Sequence, residues 1–500
     1  MKKFFEKYDL IKIALGMILL TLILTWVIPQ VSFSTGELVQ GEITRMGIFD
    51  FFTYGILGMY YFTVLVTFIL VLGGFYQFLS KLVAYQKLTD SLAKKIKGKE
   101  IIFSLIVSFI FAALASIVNE YFVLIAFMPF IITLCSKAGM DKISSFVTTF
   151  GAMLVGILGS TISTKIVGMN VQYFQTQYTD NLLAKIIFFF VAFIVYSLFN
   201  VLHLRKGLNK NTNKAVKAPK EKAVKKTAKA SKKVEKEVKV VKVKNETKEE
   251  VSVDLFENKI EDKKANILPL VIVGILTILT ILLAYLPWTT VFEVDWFTKA
   301  HEFVTDAKLF EVPIFSYIFG NVYEFGSWDL FSVQVVMILV VLILKVCYKV
   351  DFNTVLESFI EGFKKVGKLV FILLLSYTIL VLSVMYPVIP TIVGKILGTK
   401  FNVITTAISG LLASLFTSEY QYTVNILYSN FASLYTENLS VISMILQLTY
   451  GFVSFFAPSS AMLLVGLSYL EIPYKNWMKY IWKFLVIMLV AIIVLAFIIA

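Results

Sequence analysis

The stretch Leu114-Ala-Ser-Ile-Val-Asn-Glu-Tyr121 places a glutamate inside an apolar part of the chain. A second stretch, Leu412-Ala-Ser-Leu-Phe-Thr-Ser-Glu-Tyr420, repeats the pattern 298 or 299 positions later. A carboxylate at the centre of a bilayer costs about 2.5–3.5 kcal/mol or more, so such residues are rare unless they have a function. The matched pair, Glu120 and Glu419, therefore indicates one structural unit that is used twice.

The repetition continues downstream of each glutamate. Thr149-Phe-Gly151 corresponds to Thr449-Tyr-Gly451, 300 positions apart, and each triplet leads to a short polar segment. These segments are Gly159-Ser-Thr-Ile-Ser-Thr164 and Ala457-Pro-Ser-Ser460. Duplicated polar breaks in apolar helices are typical of transporters that bind their substrate between two repeats.

Composition indicates a polytopic membrane protein of the all-α class. Hydrophobic residues make up 58% of the 500 residues and charged residues only 16%. Several apolar runs reach the roughly 17–25 residues that a bilayer-spanning helix needs. The first run, Leu10 to Ile28, follows a basic N-terminus but lacks a small-residue cleavage site, so an uncleaved helix is predicted.

The distribution of basic residues predicts the orientation. Between Arg205 and Lys264 there are 20 basic and 10 acidic residues and a single aromatic residue, as expected for a disordered cytoplasmic linker. With this segment inside, 39 of the 47 basic residues fall on the cytoplasmic side and only six outside. The six include Lys165, which this count places towards the outer face. The N-terminus and the linker are thus predicted to be cytoplasmic, in a multi-pass protein of the cell membrane.

Nine full crossings and two hairpins are predicted from the apolar runs. The hairpins, 101–135 and 402–435, each start and end on one side, with two arms that meet at the Glu-Tyr pair. We interpret them as re-entrant, although two spanning helices each would give the same loop sides. The crossings are predicted at about 10–29, 59–80, 143–168, 183–203, 266–287, 331–348, 366–386, 443–470 and 484–499.

The two halves of the chain have opposite predicted orientation. The first hairpin would open from the cytoplasm and the second from outside, and the interrupted helices 143–168 and 443–470 run in opposite directions. This is an inverted-topology repeat with broken helices near the midplane. The predicted organisation is an N-terminal transmembrane half (1–204), the Lys-rich linker (205–265) and a C-terminal transmembrane half (266–500).

The hairpin tips and the polar breaks contain the candidate binding residues. Their carboxylate, amide and hydroxyl oxygens can replace the hydration shell of an ion or hold the polar ends of a solute. The alternatives are that the glutamates cap helices or lie at the membrane surface, and that the hydroxyls only pack helices together. The candidates are Asn119, Glu120, Ser160, Thr161, Ser163, Thr164, Thr417, Ser418, Glu419, Ser459 and Ser460.

The sequence favours a carrier over an enzyme or a pump. No phosphate-binding loop, dinucleotide-binding glycine pattern or nucleophile elbow is present, and the cysteines and histidines form no metal-site pattern. No cofactor is expected beyond a coupling Na⁺ or H⁺, and no nucleic acid is expected to bind the linker. Because no arginine lies in a predicted crossing, two glutamates without a basic partner favour a zwitterionic or cationic solute.

Several short motifs are spread along the chain, namely Gly47-Ile-Phe-Asp50, Gly73-Gly-Phe75 and Ala457-Pro-Ser-Ser-Ala461 followed by Ile472-Pro-Tyr474. In this order they resemble the motifs of YfcC-like carriers, which are related to the C4-dicarboxylate (DcuC) and AbgT families of the ion transporter superfamily. The resemblance implies a homodimeric elevator-type carrier whose two hairpins move with the substrate. The chain departs from the related pattern at both tips, with Ser163-Thr-Lys165 and with Thr417-Ser-Glu419.

The expected function is secondary active transport of a small polar organic solute. An amino acid, in particular a basic one, is the first expectation, by symport with H⁺ or Na⁺ or by antiport. One alternative is a carrier of C4-dicarboxylates or other carboxylates. The other is a non-transporting membrane anchor whose working part is the basic linker.

Overall fold

The structure, a computed structural model, describes residues 9–34, 37–216, 255–256, 265–308, 311–320 and 322–500. The described chain is helical except for its connecting segments and one antiparallel pair of short strands, β1 (Val31–Ser34) and β2 (Glu37–Gln40). Among the described residues, nine helices are long and apolar enough to cross a membrane. The predicted all-helical membrane fold is therefore confirmed.

The described residues of the N-terminal half form ten helices and one 3₁₀ segment. Asp141 caps the helix that begins at Lys142 by accepting a hydrogen bond from the Ser144 amide at 2.9 Å, which satisfies an otherwise unpaired N–H group. The elements are α1 (Asp9–Val27), α2 (Ile48–Tyr61), α3 (Thr63–Lys81), α4 (Val83–Ile96), α5 (Glu100–Ile117), the 3₁₀ segment (Tyr121–Phe127), α6 (Met128–Ala138), α7 (Lys142–Thr148), α8 (Phe150–Leu158), α9 (Val167–Phe174) and α10 (Leu182–Val216).

The C-terminal half repeats the helix–break–helix units. Asp329, Asp351 and Asn402 accept hydrogen bonds from backbone amides at the starts of three of its helices, at 2.8–3.2 Å. The helices are α11 (Leu268–Tyr285), α12 (Trp296–Asp306), α13 (Ile314–Phe319), α14 (Leu330–Tyr348), α15 (Phe352–Met385), α16 (Val388–Ile396), α17 (Val403–Ser414), α18 (Tyr420–Ala432), α19 (Leu439–Val453), α20 (Ala461–Tyr469) and α21 (Tyr474–Ile499).

Three predicted boundaries differ from the structure. The crossing expected at 59–80 begins at Thr63, because the chain leaves helical geometry at Phe62 and α2 is a separate helix. The crossing expected at 366–386 is the end of the 34-residue helix α15. Helix α10 continues to Val216, so the start of the predicted linker is helical. Residues 217–254 and 257–264 of the linker lie outside the described residues.

The two hairpins end inside the protein. Helices α17 and α18 have 12 and 13 residues, so each is only about 18–20 Å long and too short for a ~30 Å hydrocarbon core. The tip of the first hairpin, at Glu120, approaches the tip of the second, at Glu419, because both carboxylates bind one lysine. The tips of the two hairpins thus meet inside the protein.

The order of the helices bears on the sides from which the hairpins enter. Within the described residues, four helices long and apolar enough to cross a membrane lie between the hairpins, namely α10, α11, α14 and α15, together with the interrupted helix α7–α9. With the interrupted helix counted as a further crossing, as the sequence predicts, the number is odd, and the second hairpin starts on the opposite side from the end of the first. The inverted repeat expected from the charge map thus agrees with the element order.

Helices α3 and α15 make a close glycine contact. A Cβ atom at Gly362 of α15 would lie 2.3 Å from the carbonyl oxygen of Gly73 and 2.5 Å from the nitrogen of Gly74, both on α3. Small residues let two helix backbones approach in this way, and such contacts are common where packing rather than water drives helix association. Helices α3 and α15 thus form a closely packed pair beside the hairpins.

Candidate functional site

The first hairpin tip exposes one carboxylate oxygen. Helix α5 ends at Ile117, and the extended backbone at Glu120 starts the 3₁₀ segment. The Glu120 Oε1 atom accepts a hydrogen bond from the Phe122 amide at 3.0 Å. Glu120 therefore caps this segment, as one sequence-based alternative proposed, and its second oxygen, Oε2, remains available for another partner.

The second tip holds its glutamate differently. Glu419 has extended backbone before α18 and makes no cap hydrogen bond of its own. Its Oε1 atom accepts a hydrogen bond from the Tyr377 hydroxyl of α15 at 2.7 Å. Its Oε2 atom faces the first tip. The two glutamates thus share an orientation, with one oxygen fixed by the fold and the other pointing to a common point.

Lys165 occupies that common point. Its Nζ atom lies 2.6 Å from Glu120 Oε2 and 2.8 Å from Glu419 Oε2. The prediction that Lys165 lies towards the outer face is therefore wrong, and so is the prediction that the glutamates lack a basic partner. The cause is the length of the break between Leu158 and Val167: Lys165 lies within this non-helical segment, beside the hairpin tips, rather than beyond it at a helix end.

The cluster of Glu120, Lys165 and Glu419 is shielded but reachable. The exposed fractions of the three side chains are 16%, 18% and 8%, respectively. The lysine ammonium also lies 5.6 Å from the ring centre of Tyr121 and 5.2 Å from that of Phe122, within the range of cation–π attraction. A small solute can therefore meet charged groups in a largely dehydrated setting, where electrostatic interactions are strong.

The first polar break is hydrogen-bonded to the first hairpin tip. Ser160 and Thr161 hydrogen-bond to Ser116, the latter hydroxyl pair at 2.9 Å. Ser163 donates to the Val118 carbonyl at 2.7 Å, and Thr164 donates to Asn119 Oδ1 at 2.9 Å. The structure thus brings these predicted residues together, but their hydroxyls are engaged in joining the break to the tip.

The second break and tip are joined in a corresponding way. Ser459 donates to the Leu415 carbonyl at 2.9 Å, and the Ser418 hydroxyl lies 3.1 Å from that of Ser376. Thr417 pairs with Thr423, and Ser460 caps α20 through the Leu463 amide. In both halves the hydroxyls position the tip, which agrees with the packing alternative. Each glutamate, by contrast, directs one carboxylate oxygen to Lys165.

Asn119 connects the first tip to the other half of the protein. Its side-chain amide donates to the Gly326 carbonyl, and its backbone amide donates to the Tyr285 carbonyl at 2.9 Å. The Asn119 side chain is therefore committed to structural contacts on both its oxygen and its nitrogen. Among the eleven predicted residues, Glu120 and Glu419 are the two with ionisable side chains.

Several residues of the site were missed by sequence reasoning. Lys165, Tyr377 and Ser376 contact the tips directly, and a buried chain of hydrogen bonds links Ser160 through Gln447 and Asn170 to Tyr420. A lysine directly after a polar break was a usable signal for Lys165. Tyr377 lies in an apolar run of α15, where nothing local distinguishes it.

The arrangement can bind a cation or exchange one. With both carboxylates ionised and the lysine protonated, the cluster carries one net negative charge. Oxygen ligands of this type suit a proton, a monovalent cation or an organic ammonium. Among the described residues, no group of three or more His, Cys, Asp or Glu side chains could hold a metal ion.

Comparisons with known proteins identify the family. The DcuC family, described as the C4-dicarboxylate anaerobic carrier, matches residues 8–500. No curated protein matches the chain significantly. Among solved structures, the chain is similar to the YdaH transporter of Alcanivorax borkumensis, described as having an unusual topology, with 11% identity, a TM-score of 0.41 and coverage of 98% of this chain and 97% of that chain.

The family match spans nearly the whole sequence, including both hairpins and both breaks. The resemblance to this group of carriers is therefore confirmed, and the protein is a multi-pass membrane transporter rather than an enzyme. The chain belongs to the DcuC family of carriers.

Proposed function

We propose that the protein is a secondary active transporter of a small amino acid and that the cluster of Glu120, Lys165 and Glu419 binds the solute. The observation that carries the proposal is the net negative charge of this cluster at the point where both hairpin tips meet. A solute ammonium would compete with the Lys165 ammonium for the two carboxylates. A basic amino acid, with its second cationic group, would gain the most from this competition.

The breaks provide a complementary environment for a solute carboxylate. Helices α9 and α20 begin shortly after the polar breaks, and the positive end of a helix dipole favours negative charge. The released Lys165 ammonium would add a positive partner. One amino acid could thus have its ammonium on the glutamates and its carboxylate on the break side of the cluster.

A dicarboxylate is the second candidate substrate. Two observations favour it: Lys165 provides an ammonium inside the site, and the matching family is described as a C4-dicarboxylate carrier. The two glutamates oppose it, because a dianion would meet like charges in a poorly hydrated space. Binding would require that protons or cations neutralise those carboxylates.

Transport assays in proteoliposomes test the site and the substrate. Glu120→Gln and Glu419→Gln remove charge with little change in shape, and we expect each to lower amino acid uptake about tenfold or more, because a hydrogen bond to a charged group contributes about 1.5–3 kcal/mol. Asp295→Asn is the matched control, since Asp295 is an exposed carboxylate paired only with Lys299 four residues away.

The outcomes separate the candidates. Uptake by both glutamine variants at the rate of the Asp295→Asn control would show that the cluster is not the site. Saturable succinate uptake that no amino acid inhibits would favour the dicarboxylate carrier. Inhibition by lysine or arginine, stronger than by neutral amino acids, would support the basic amino acid.

The assembly and orientation remain predictions. We propose a homodimer in the cell membrane with a cytoplasmic N-terminus and linker, supported by the charge distribution and by the resemblance described above. Light scattering on the detergent-solubilised protein measures the oligomeric state. Labelling of single cysteines introduced in the loops of intact cells measures the orientation.

A further inference from the structure

We propose that Lys165 is a covalently attached cation that takes the place of Na⁺ between Glu120 and Glu419, so that transport does not depend on Na⁺. The inference rests on the proposed function in one respect, that the two tips form the transport site. It concerns the coupling chemistry of this site, which the family match leaves undetermined.

The geometry supports the substitution. The Lys165 ammonium binds one oxygen from each tip, at 2.6 and 2.8 Å, and the remaining oxygens of the same carboxylates are held by Phe122 and Tyr377. The ammonium therefore occupies the space between two carboxylates that an ion with oxygen ligands would need. The rings of Tyr121 and Phe122 also face it, and aromatic faces attract cations.

Charge excludes a second cation while the lysine is in place. A free Na⁺ at the same carboxylates would lie close to the Lys165 ammonium, and like charges repel strongly where water is scarce. Thr164 and Asn119, the nearest polar neighbours along both segments, hydrogen-bond to each other at 2.9 Å and so are engaged already. Lys165 thus binds the two carboxylates and at the same time prevents a metal cation from binding them.

The position of Lys165 in the fold allows it to act in a cycle. It lies in the segment between Leu158 and Val167, outside regular helix, and its two partners belong to two different hairpins. A lysine that only stabilised the fold would be an alternative, but buried ion pairs are weak evidence for stability. Rescue of a lysine-free variant by small cations distinguishes the two roles, because a merely structural role would not predict it.

The first experiment measures transport in different salts. Wild-type uptake in proteoliposomes is compared in NaCl and in choline chloride, and we expect rates within twofold of each other. Lys165→Ala should lose at least tenfold in choline chloride and recover several-fold on addition of Na⁺ or methylammonium. Lys165→Arg, which retains the charge, should keep a larger share of the rate in choline than the alanine variant does.

The second experiment does not depend on the substrate. We expect the thermal unfolding midpoint of the purified wild type to be the same in NaCl and choline chloride at equal ionic strength. The midpoint of Lys165→Ala should rise with Na⁺ concentration, because a ligand that binds only the folded state stabilises it. Lys299→Ala, which removes an exposed lysine of helix α12, is the matched control, and its unfolding midpoint should show no specific effect of Na⁺.

Three results would overturn the inference: a wild type that needs Na⁺, a Lys165→Ala variant with wild-type rates in choline, or a folded variant that no small cation rescues or stabilises. If Lys165→Ala does not fold, the Na⁺ dependence of wild-type uptake still tests the inference, because a wild type that needs Na⁺ would overturn it. If no amino acid is transported but succinate is, the proposed substrate fails, while the unfolding measurements still test the role of Lys165.

Discussion

The close contact of α3 with α15 gives a prediction that can be worked out from the structure. Gly362→Ala would place a methyl group 2.3 Å from the Gly73 carbonyl oxygen and 2.4 Å from its carbonyl carbon. Both are backbone atoms, so no rotamer change can relieve the overlap and the two helices must move apart. Overpacking costs about 1–3 kcal/mol, occasionally more, and a clash with backbone belongs at the upper end of this range.

Gly367→Ala is a control on the same helix. Gly367 is exposed, and a Cβ atom there would meet nothing within 4 Å. Replacing glycine by alanine inside a helix stabilises it by about 1 kcal/mol. Gly362→Ala lies in the same helix and gains the same propensity term, so the free energies of unfolding of the two variants should differ by the overpacking cost alone, about 3 kcal/mol, with Gly362→Ala the less stable.

The measurement is thermal unfolding of the purified protein in detergent, followed by intrinsic tryptophan fluorescence. We expect a lower midpoint for Gly362→Ala than for the wild type, and an equal or higher midpoint for Gly367→Ala. A Gly362→Ala midpoint at or above that of Gly367→Ala would refute the reasoning. It would mean that α3 and α15 are not held at the distance shown here.

Two further predictions concern the first break and the start of helix α7. A Cβ atom at position 451 would lie 2.3 Å from the Leu158 Cα atom, so Gly451→Ala should displace the first break and lower uptake per folded protein. Gly274→Ala, whose Cβ atom would meet nothing within 4 Å, should not lower uptake. Equal uptake rates for the two variants would contradict this. Burial raises the pKa of Asp141, but the hydrogen bond and charge of His203 together with Ser144 bring it below its usual value. Asp141→Ala, which removes both the helix cap and the carboxylate, should therefore cost about 0.5–2 kcal/mol of stability at neutral pH. The difference in unfolding midpoint should shrink as the pH falls through the lowered folded-state pKa, since a depressed carboxyl pKa stabilises only above that range; a pH-independent difference would count against it.

Much of the architecture could be predicted from the sequence. The duplicated Glu-Tyr units, the hydrophobic runs and the basic residues together predicted two hairpins and two interrupted helices, because each depends on local composition. The boundaries of α3 and α15 could not be predicted in the same way. The bend at Phe62 falls within an apolar run, and the first part of α15, from Phe352, is rich in polar residues, so hydropathy marks neither boundary.

The site was predicted only in part. Glu120 and Glu419 could be found because a carboxylate in an apolar run is conspicuous. Lys165 was assigned to the wrong place because charge counting treats a lysine near a helix end as part of a loop. Its partners lie 45 residues away in one hairpin and in the other half of the chain, so only the folded structure shows the contact.

The covalent attachment of Lys165 has an electrical consequence. A cation bound from solution is released on the far side and adds its charge to the current, whereas the Lys165 ammonium returns with the protein in every cycle. The charge moved per turnover would then be that of the solute and of any accompanying proton. Uptake of a zwitterion alone should be electrically silent, while net uptake of lysine or arginine should produce an inward positive current.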